Sequence, residues 1–227
     1  MNIEESIKNC EIHSKQIKQY DPDPYYVNYF FTKFIDSVND VYDFIFEEAN
    51  RDFGLFILEK INQKNFEEKA KGKNDQKAIN FSEWFSIKFT QEHKNPYPNV
   101  IEKISKYKKE KNELPEIKIM IRASDRYKDD VNQQIKVNLS NEKLRSKREL
   151  DIEIKRQLPI FLEIINHKRN EKNEPRVEEN EVTASAFVDI EEHEDIEIAY
   201  ASEIYIPVLK RLVEESRNKI KELTTYS

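Results

Sequence analysis

The sequence predicts an α+β protein that is mainly α: a helical bundle of about five helices with a small antiparallel sheet inserted before the C-terminal helix. Two patterns lead to this prediction. After Asp21-Pro22-Asp23-Pro24, apolar residues recur every three or four positions over about eight turns, and one helix cannot bury so wide an apolar face alone. Further along, apolar and polar residues alternate over 117–121, 135–139 and 182–188, which is typical of half-buried strands.

The aromatic stripe of this long helix predicts which of its sides is buried. The stripe consists of Tyr26, Val27, Phe30, Phe31, Phe34, Val38, Val41, Tyr42, Ile45, Phe46 and Phe53. From the spacing we expect the following residues to face the bundle core: Phe30, Phe34, Val38, Val41 and Ile45. On the opposite arc, we expect four acidic residues to face water: Asp36, Asp40, Asp43 and Glu47.

The helical period places five helices in the first half of the chain. Their predicted ranges are 4–19, 24–53, a short helix over 55–66, 80–93 and 99–111. Asp23 can cap the second helix, Pro24 can occupy its first turn, and Gly54 ends or kinks it. We expect a polar loop over 69–77, and Pro96 and Pro98 should separate the helices on either side of them.

The second half of the chain predicts the sheet and the closing helix. A polar loop over 124–132 should join the first two strands, and 141–148 reads as a basic link. The apolar residues over 150–165 fit both the two-residue alternation of a strand and the three-to-four-residue spacing of a helix. We favour a strand to about Lys155 followed by a helix that opens near Pro159. A loop over 168–175 should follow. A final helix over 194–223 should bury Ile206, Leu209, Val213, Ser216 and Ile220, with Pro207 inside it.

Length and composition predict one domain over 1–227, made of a bundle part (1–114), a strand-rich insertion (115–190) and the C-terminal helix (191–227). A net charge of −6 argues against a surface that grips nucleic acid or anionic lipid as a whole. The single cysteine, Cys10, excludes an intrachain disulfide and lies on an apolar helix face, so we expect a buried, inert thiol. We expect no signal peptide, no membrane span and a cytoplasmic protein.

Absent motifs exclude several enzyme classes. With glycines only at 54 and 72, the chain cannot build a P-loop, a dinucleotide-binding G-x-G-x-x-G or a G-x-S-x-G nucleophile elbow. Its four histidines (His13, His93, His167 and His193) form no zinc-binding spacing, so we expect neither a metal nor a cofactor. His193 lies in the acidic run Glu191-Glu192-His193-Glu194-Asp195, which could coordinate a metal, but we favour the solvated start of the last helix, where carboxylates suit the positive end of the helix dipole.

A lysine face on the helix over 99–111 is a candidate nucleic-acid contact. Its members are Lys103, Lys106, Lys108, Lys109 and Lys111, with Tyr107 beside them. Lysines neutralise phosphates and a tyrosine can stack on a base. The simpler interpretation is a solvated helix face, because Glu102, Glu110 and Glu113 are interleaved with the lysines.

Several segments resemble the HEPN helical domains, the "higher eukaryotes and prokaryotes nucleotide-binding" family. The resemblance rests on the aromatic helix over 30–38, Glu83-Trp84-Phe85, the helix over 99–111, and Ala186-Phe187-Val188 followed by Glu194-Asp195-Ile196 and a long helix. It implies a helical bundle, a homodimer and, in active members, an Arg and a His with four to six residues between them. Residues 106–113, where that motif is expected, hold neither residue.

The leading hypothesis is therefore a non-catalytic HEPN-like protein that binds an unknown ligand or protein partner, as a homodimer. Separation of the lysines near 103–111 from the acidic run over 178–197 permits self-complementary contacts in such a dimer. One alternative is a metal-independent ribonuclease or toxin-like enzyme that uses Lys88 with His93, or His167 with Arg169. Another is passive binding of RNA or DNA through the lysine face. A cleft between the helix over 99–111 and the last helix is where a histidine and a basic residue should converge if the chain is active.

Overall fold

A computed structural model describes residues 2–123, 134–136, 147–188 and 196–225. Within these residues it contains seven α-helices, one short 3-10 helix and a four-stranded sheet, which confirms the mainly helical α+β class, with seven helices where a bundle of about five was expected. The elements are α1 (Ile3–Tyr20), α2 (Pro24–Phe53), α3 (Gln63–Lys73), α4 (Gln76–Glu92), α5 (Pro96–Lys111), β1 (Ile117–Ala123), β2 (Gln134–Lys136), α6 (Lys147–Glu171), the 3-10 helix (Glu179–Glu181), β3 (Val182–Val188), β4 (Ile196–Glu197) and α7 (Ile198–Thr225).

Side-chain caps begin four of these helices. Asp23 caps α2 as expected, because its carboxylate accepts a hydrogen bond from the Tyr25 amide at 3.0 Å. Asn2 caps α1, Asn62 caps α3 in a reciprocal pair with Asn65, and Asp75 caps α4. Each cap satisfies backbone N–H groups that have no partner inside the helix.

Left-handed residues end three helices. Gly54 has φ +65 directly after α2, which confirms that it ends this helix. Asn74 (φ 53) and Asn112 (φ 58) end α3 and α5, and each donates its backbone N–H back into its helix. Asparagine is the side chain that tolerates this conformation best after glycine.

The chain divides into two compact units. The first unit, which we call the helical unit, contains Met1–Lys15, Phe31–Glu113 and Tyr200–Ser227. Its core holds the buried residues of the aromatic stripe from Phe31 onwards, and a cluster of phenylalanine rings from α2, α3 and α4. Within that cluster, Phe46 lies 4.9–5.9 Å from the rings of Phe66, Phe81 and Phe85.

The second unit, which we call the sheet unit, contains Gln16–Phe30 and Leu114–Ala199. Its sheet is antiparallel throughout, with strand order β2-β1-β3-β4. The central pair β1 and β3 is in register from Ile117 with Val188 to Ala123 with Val182. Helix α6 packs against β1, and Leu150, Phe161 and Ile165 supply its buried face. The predicted strands over 117–121 and 182–188 are confirmed. For the second strand, only residues 134–136 lie in the described part of the chain.

Several predicted boundaries between the second and fourth predicted helices are wrong. Residues 55–62 form no helix, and α3 instead occupies most of the expected polar loop over 69–77, with Gly72 inside it. The Asn62–Asn65 capping box explains this shift, because it starts the helix eight residues later than the apolar spacing indicated.

The prolines at 96 and 98 lie in the first turn of α5, where a missing N–H has no cost, so they start the helix instead of preceding it.

The largest error concerns residues 147–171, for which we expected a basic link, a strand, a helix and then a loop. They form the single helix α6, with Pro159 inside it. Alternation at Ile152 and Ile154 was misleading, because Ile152 is 56% exposed and belongs to no buried strand face. Leu150, Phe161 and Ile165, which follow the helical spacing, are the buried residues of this segment's apolar face. Of the other loops expected here, 124–132 and 141–146 lie outside the described residues.

The closing helix begins at Ile198, four residues later than expected, because residues 196 and 197 pair with β3. Four of its five expected core residues are buried, and the other, Ile206, is half-buried.

On α2, Phe34, Val38, Val41 and Ile45 are buried as expected, and Phe30 is half-buried. Asp36 is exposed, as expected. For its neighbours Asp40, Asp43 and Glu47, the expectation of a water-facing arc is wrong, since they are half-buried. Burial raises the pKa of the Asp40 and Glu47 carboxyls.

Cys10 is fully buried as expected, and burial raises the pKa of its thiol to about 12. None of the helices in the described ranges has the length and apolar character needed to cross a bilayer.

Candidate binding cleft in the helical unit

The helical unit contains a cleft of about 700 Å³, a volume typical of small-ligand pockets. Its walls come from α2, α4 and α5, with Tyr205 of α7 at one side. The chain just before α3 and the first turn of that helix form another side, with residues 60 and 62–64. The Asn62–Asn65 capping box holds this side in place.

Four lysines line the cleft. Lys60 pairs with Asp43 at 3.2 Å, and this hydrogen bond raises the pKa of the Lys60 ammonium. Lys106 pairs with Glu102 at 2.5 Å. The other two, Lys64 and Lys109, are exposed and form no ion pair with any residue in the described part of the chain. Four ammonium groups against two carboxylates leave the lining with an excess of positive charge.

The inner surface of the cleft is aromatic and carries fixed hydrogen bonds. Phe89 and Tyr42 are half-buried, and their rings meet edge to face with centroids 5.4 Å apart. Ser105 donates to the side chain of Asn39 at 2.8 Å. Gln63 donates to Ser86 at 2.8 Å, which ties the first turn of α3 to α4. A planar ring with polar edges would find both apolar contact and hydrogen-bonding groups on this surface.

Behind this surface, a buried chain of hydrogen bonds joins α4, α7 and α2. Nδ1 of His93 lies 2.7 Å from the backbone oxygen of Phe89, and Nε2 lies 2.6 Å from the hydroxyl of Tyr205. Tyr205 in turn shares a short hydrogen bond with the hydroxyl of Tyr42. The ring of Phe89 stacks on the His93 imidazole, with centroids 3.9 Å apart. Both Tyr205 and Tyr42 line the cleft.

Burial controls the charge states of this chain. Desolvation lowers the pKa of His93, with weaker opposing effects from the Phe89 hydrogen bond, Glu102 and Glu92. Desolvation also raises the pKa of both tyrosine hydroxyls. Desolvation thus favours the neutral form of each of the three groups.

The structure does not bring the candidate pair Lys88 and His93 together at one reactive point. The Lys88 ammonium lies 2.7 Å from Glu215 and 3.1 Å from Glu92, so two carboxylates already neutralise it. Glu92 also accepts hydrogen bonds from Arg211, which lowers the pKa of the Glu92 carboxyl. His93 is 3% exposed, and both of its ring nitrogens bond to groups of the protein itself.

The second candidate pair lies on α6 in the sheet unit. His167 is exposed, and its Nε2 lies 3.5 Å from Glu171. Arg169 is buried, and its Nε lies 3.8 Å from Glu174. The two side chains thus lie in different surroundings, one in solvent and one in the interior, and do not converge.

The lysine face of α5 is divided among different roles. Lys106 and Lys109 line the cleft. Lys108 instead bonds to Asp36 and to the backbone oxygen of Thr32, so it links α5 to α2. Of the remaining members, Lys111 is exposed, while Lys103 and Tyr107 are half-buried, and none of the three lines the cleft.

Across residues 2–123, 134–136, 147–188 and 196–225, no group of three or more His, Cys, Asp or Glu side chains is arranged to hold a metal ion. His193 and its acidic run lie outside these ranges. Comparison with known proteins gives no family. No family model, curated protein or solved structure matches the chain.

Sequence reasoning missed most of the cleft. Tyr42 was assigned only to the apolar stripe, while Tyr205, Asn39, Lys60 and Lys64 received no role. One signal was present: a buried tyrosine needs a partner for its hydroxyl, and both Tyr42 and Tyr205 fall on apolar helix faces. That signal predicts a buried polar contact without naming the residue that supplies it.

Proposed function

We propose that the protein is a non-enzymatic binding protein whose cleft holds a nucleotide, either free or at the end of an RNA strand. The observation that carries this proposal is the combination of excess lysine charge with half-buried aromatic rings in one cleft of about 700 Å³. Lysines suit a phosphate, and the surface around Phe89 and Tyr42 suits a planar base. The resemblance to HEPN domains favours the same class of ligand. We also propose that the protein is cytoplasmic.

The surroundings of the histidines favour binding over catalysis. A general acid or base must reach a proton of the substrate, whereas both nitrogens of His93 are engaged by Phe89 and Tyr205. The exposed His167 has the Glu171 carboxylate, not a cation, beside it. A ribonuclease also needs a cation that can stabilise the phosphorane beside its histidine, and the candidate cation Lys88 is instead held by Glu92 and Glu215.

Charge reversal tests this proposal. We expect Lys64→Glu and Lys109→Glu each to weaken binding of adenosine 5′-monophosphate by about tenfold, the effect of reversing one charge about 6 Å from a phosphate in water. Lys111→Glu is the matched control, because Lys111 is exposed on the same helix as Lys109 but lies outside the cleft. Titration calorimetry at fixed salt measures all four proteins.

Two probes separate the sources of the nucleotide. Adenosine 5′-monophosphate represents the free ligand, and a short 5′-phosphorylated oligoribonucleotide represents an RNA end. Tighter binding of the oligonucleotide assigns the site to RNA. The proposal is wrong if neither probe binds at millimolar concentration, or if Lys111→Glu weakens binding as much as the two cleft variants do. That second result would indicate instead the diffuse lysine face over 103–111.

We propose further that the protein is a homodimer that pairs through α6. Three isoleucines of this helix, at spacings of eight and four residues, are 45–56% exposed: Ile152, Ile160 and Ile164. Exposed Lys155 and Glu163 lie symmetrically about Pro159, so an antiparallel two-fold pairing brings each lysine against the glutamate of the other copy. The same face of a second copy thus offers apolar side chains for the isoleucines and an opposite charge for Lys155 and for Glu163.

Sedimentation velocity over a concentration series tests the dimer. Ile160→Glu should give a monomer at concentrations where the natural chain is dimeric, because it puts a charge in the middle of the apolar stripe. Lys155→Glu should weaken the dimer, and adding Glu163→Lys should restore it. Monomeric natural protein at high concentration would disprove the pairing, as would a double variant no better than the single one.

A further inference from the structure

We infer that the cleft selects a ligand that donates a hydrogen bond to the hydroxyl oxygen of Tyr42, such as a base with an exocyclic amino group. This inference rests on the proposed nucleotide-binding function and names the kind of base. It follows from the direction of the hydrogen-bond chain that runs from Phe89 through His93 and Tyr205 to Tyr42.

The backbone oxygen of Phe89 fixes the direction of this chain. A carbonyl oxygen can only accept, so at 2.7 Å the Nδ1 atom of His93 must carry the hydrogen. Neutral imidazole has one N–H, which leaves Nε2 as an acceptor. The hydroxyl of Tyr205 therefore donates to Nε2 across 2.6 Å. Having used its only hydrogen there, Tyr205 accepts from Tyr42.

Tyr42 consequently points its hydrogen inward and keeps its remaining lone pair for a ligand. Burial protects this arrangement: Tyr205 is 0% and His93 3% exposed, so solvent does not offer either group a different partner. Reversing the chain would put the proton on Nε2, set the lone pair of Nδ1 against the Phe89 oxygen at 2.7 Å and leave that buried nitrogen without a donor, which is costly. Tyr205 and His93 are thus positioning residues, and Tyr42 is the residue that meets the ligand.

A ligand group that only accepts hydrogen bonds would meet a lone pair at this position. Adenine and cytosine carry exocyclic amino groups that donate, so their rings suit Tyr42. Adenosine 5′-monophosphate and purine riboside 5′-monophosphate give a sharp comparison, because they differ only by the 6-amino group. Their phosphates interact equally with the lysines, so any difference reports the donor.

We expect the natural protein to bind adenosine 5′-monophosphate about tenfold more tightly than purine riboside 5′-monophosphate, the ratio that one hydrogen bond supplies. In Tyr42→Phe this ratio should fall to about one, while the affinity for the purine compound stays within about twofold. Tyr107→Phe is the control, because Tyr107 is a half-buried tyrosine outside the cleft. Circular dichroism confirms that each variant is folded.

The possible failures are distinguishable. If the natural protein binds both nucleotides equally, or if Tyr42→Phe keeps the tenfold preference, the donor inference is wrong while nucleotide binding stands. If neither nucleotide binds, the proposed function is wrong and the inference fails with it. A preference that inverts in favour of the purine compound shows that Tyr42 donates into the cleft, which would also overturn the assigned direction.

Discussion

Asp21, in the sheet unit, should make the stability of the protein depend on pH in an unusual direction. Its carboxylate accepts a hydrogen bond from the Ala186 amide of β3 at 2.7 Å. Burial nevertheless raises the pKa of this carboxyl from 3.8 to about 6, because desolvation and the nearby charge of Glu197 outweigh the hydrogen bonds from Ala186 and Ser185. The folded protein therefore holds this proton more tightly than the unfolded chain does.

The sign and size follow from linkage. At a pH below the pKa that Asp21 has in the unfolded chain, its carboxyl is protonated in both states, so it does not change the free energy of unfolding. As pH rises from about 4 to about 6, the unfolded chain loses the proton first, so the folded state loses stability relative to it. A shift of about two units corresponds to about 3 kcal/mol, which is reached above the folded pKa. Most carboxylates contribute in the opposite direction, so the effect must be isolated by a substitution.

Asp21→Asn isolates it, because the amide oxygen can still accept from Ala186 while the side chain cannot ionise. We expect the variant to gain stability relative to the natural protein as pH rises from about 4 to about 7, by up to about 3 kcal/mol. Urea denaturation at each pH gives the free energies of unfolding. Exposed Asp151 supplies the control variant, Asp151→Asn. A stability difference between Asp21→Asn and the natural protein that does not change with pH would refute this reasoning.

Two further predictions concern the helical unit and the rival activity. Phe34 is fully buried, so Phe34→Ala should lower the free energy of unfolding by about 3–5 kcal/mol, whereas Asp40→Ala should lower it by about 0.5 kcal/mol at most. Chemical denaturation of both variants measures these changes. A larger loss of stability in Asp40→Ala than in Phe34→Ala would indicate a functional buried carboxylate. The natural protein should leave mixed RNA uncut in the absence of metal, as shown by gel electrophoresis. Cleavage that disappears in His93→Ala or His167→Ala would instead support a ribonuclease.

The sequence predicts helices well where spacing and a capping residue agree. On α2, the aromatic stripe gives the buried side, Asp23 the start and Gly54 the end, and the structure has all three. The acidic arc of the same helix was less predictable. Its spacing gives the direction of a side chain but not what packs above it, and Asp43 is half-buried beside Lys60, a residue seventeen positions away.

Helix α6 shows where local pattern is insufficient. Ile152 and Ile154 fit a strand and a helix equally well, and only burial decides between the two periods. In this chain, exposed Ile152, two positions before half-buried Ile154, imitated the alternation of a strand. The same exposure that misled the sequence prediction is what makes this face a candidate dimer contact.

The lysine face of α5 shows a similar limit for function. Five lysines within nine residues appear equivalent in the sequence, yet Lys108 bonds to Asp36 and Thr32, while Lys106 pairs with Glu102. Tertiary structure selects only Lys106 and Lys109 for the cleft and adds Lys60 and Lys64 from a distant part of the chain. A cluster in sequence therefore predicts charge on a surface, but not the site where that charge converges.

The His93–Tyr205–Tyr42 chain could not be found from sequence, because its members are separated by 51 and 112 positions and only packing brings them together. Its physical logic is nevertheless local. Each buried hydroxyl must find a partner, and a histidine bonded to a backbone carbonyl has only one nitrogen left with which to accept. A tyrosine pair inside an apolar core costs stability unless such a histidine supplies that acceptor. His93 therefore has a structural reason to be buried. Among the hydrogen-bonding atoms of His93, Tyr205 and Tyr42, the oxygen of Tyr42 is the one left for a ligand.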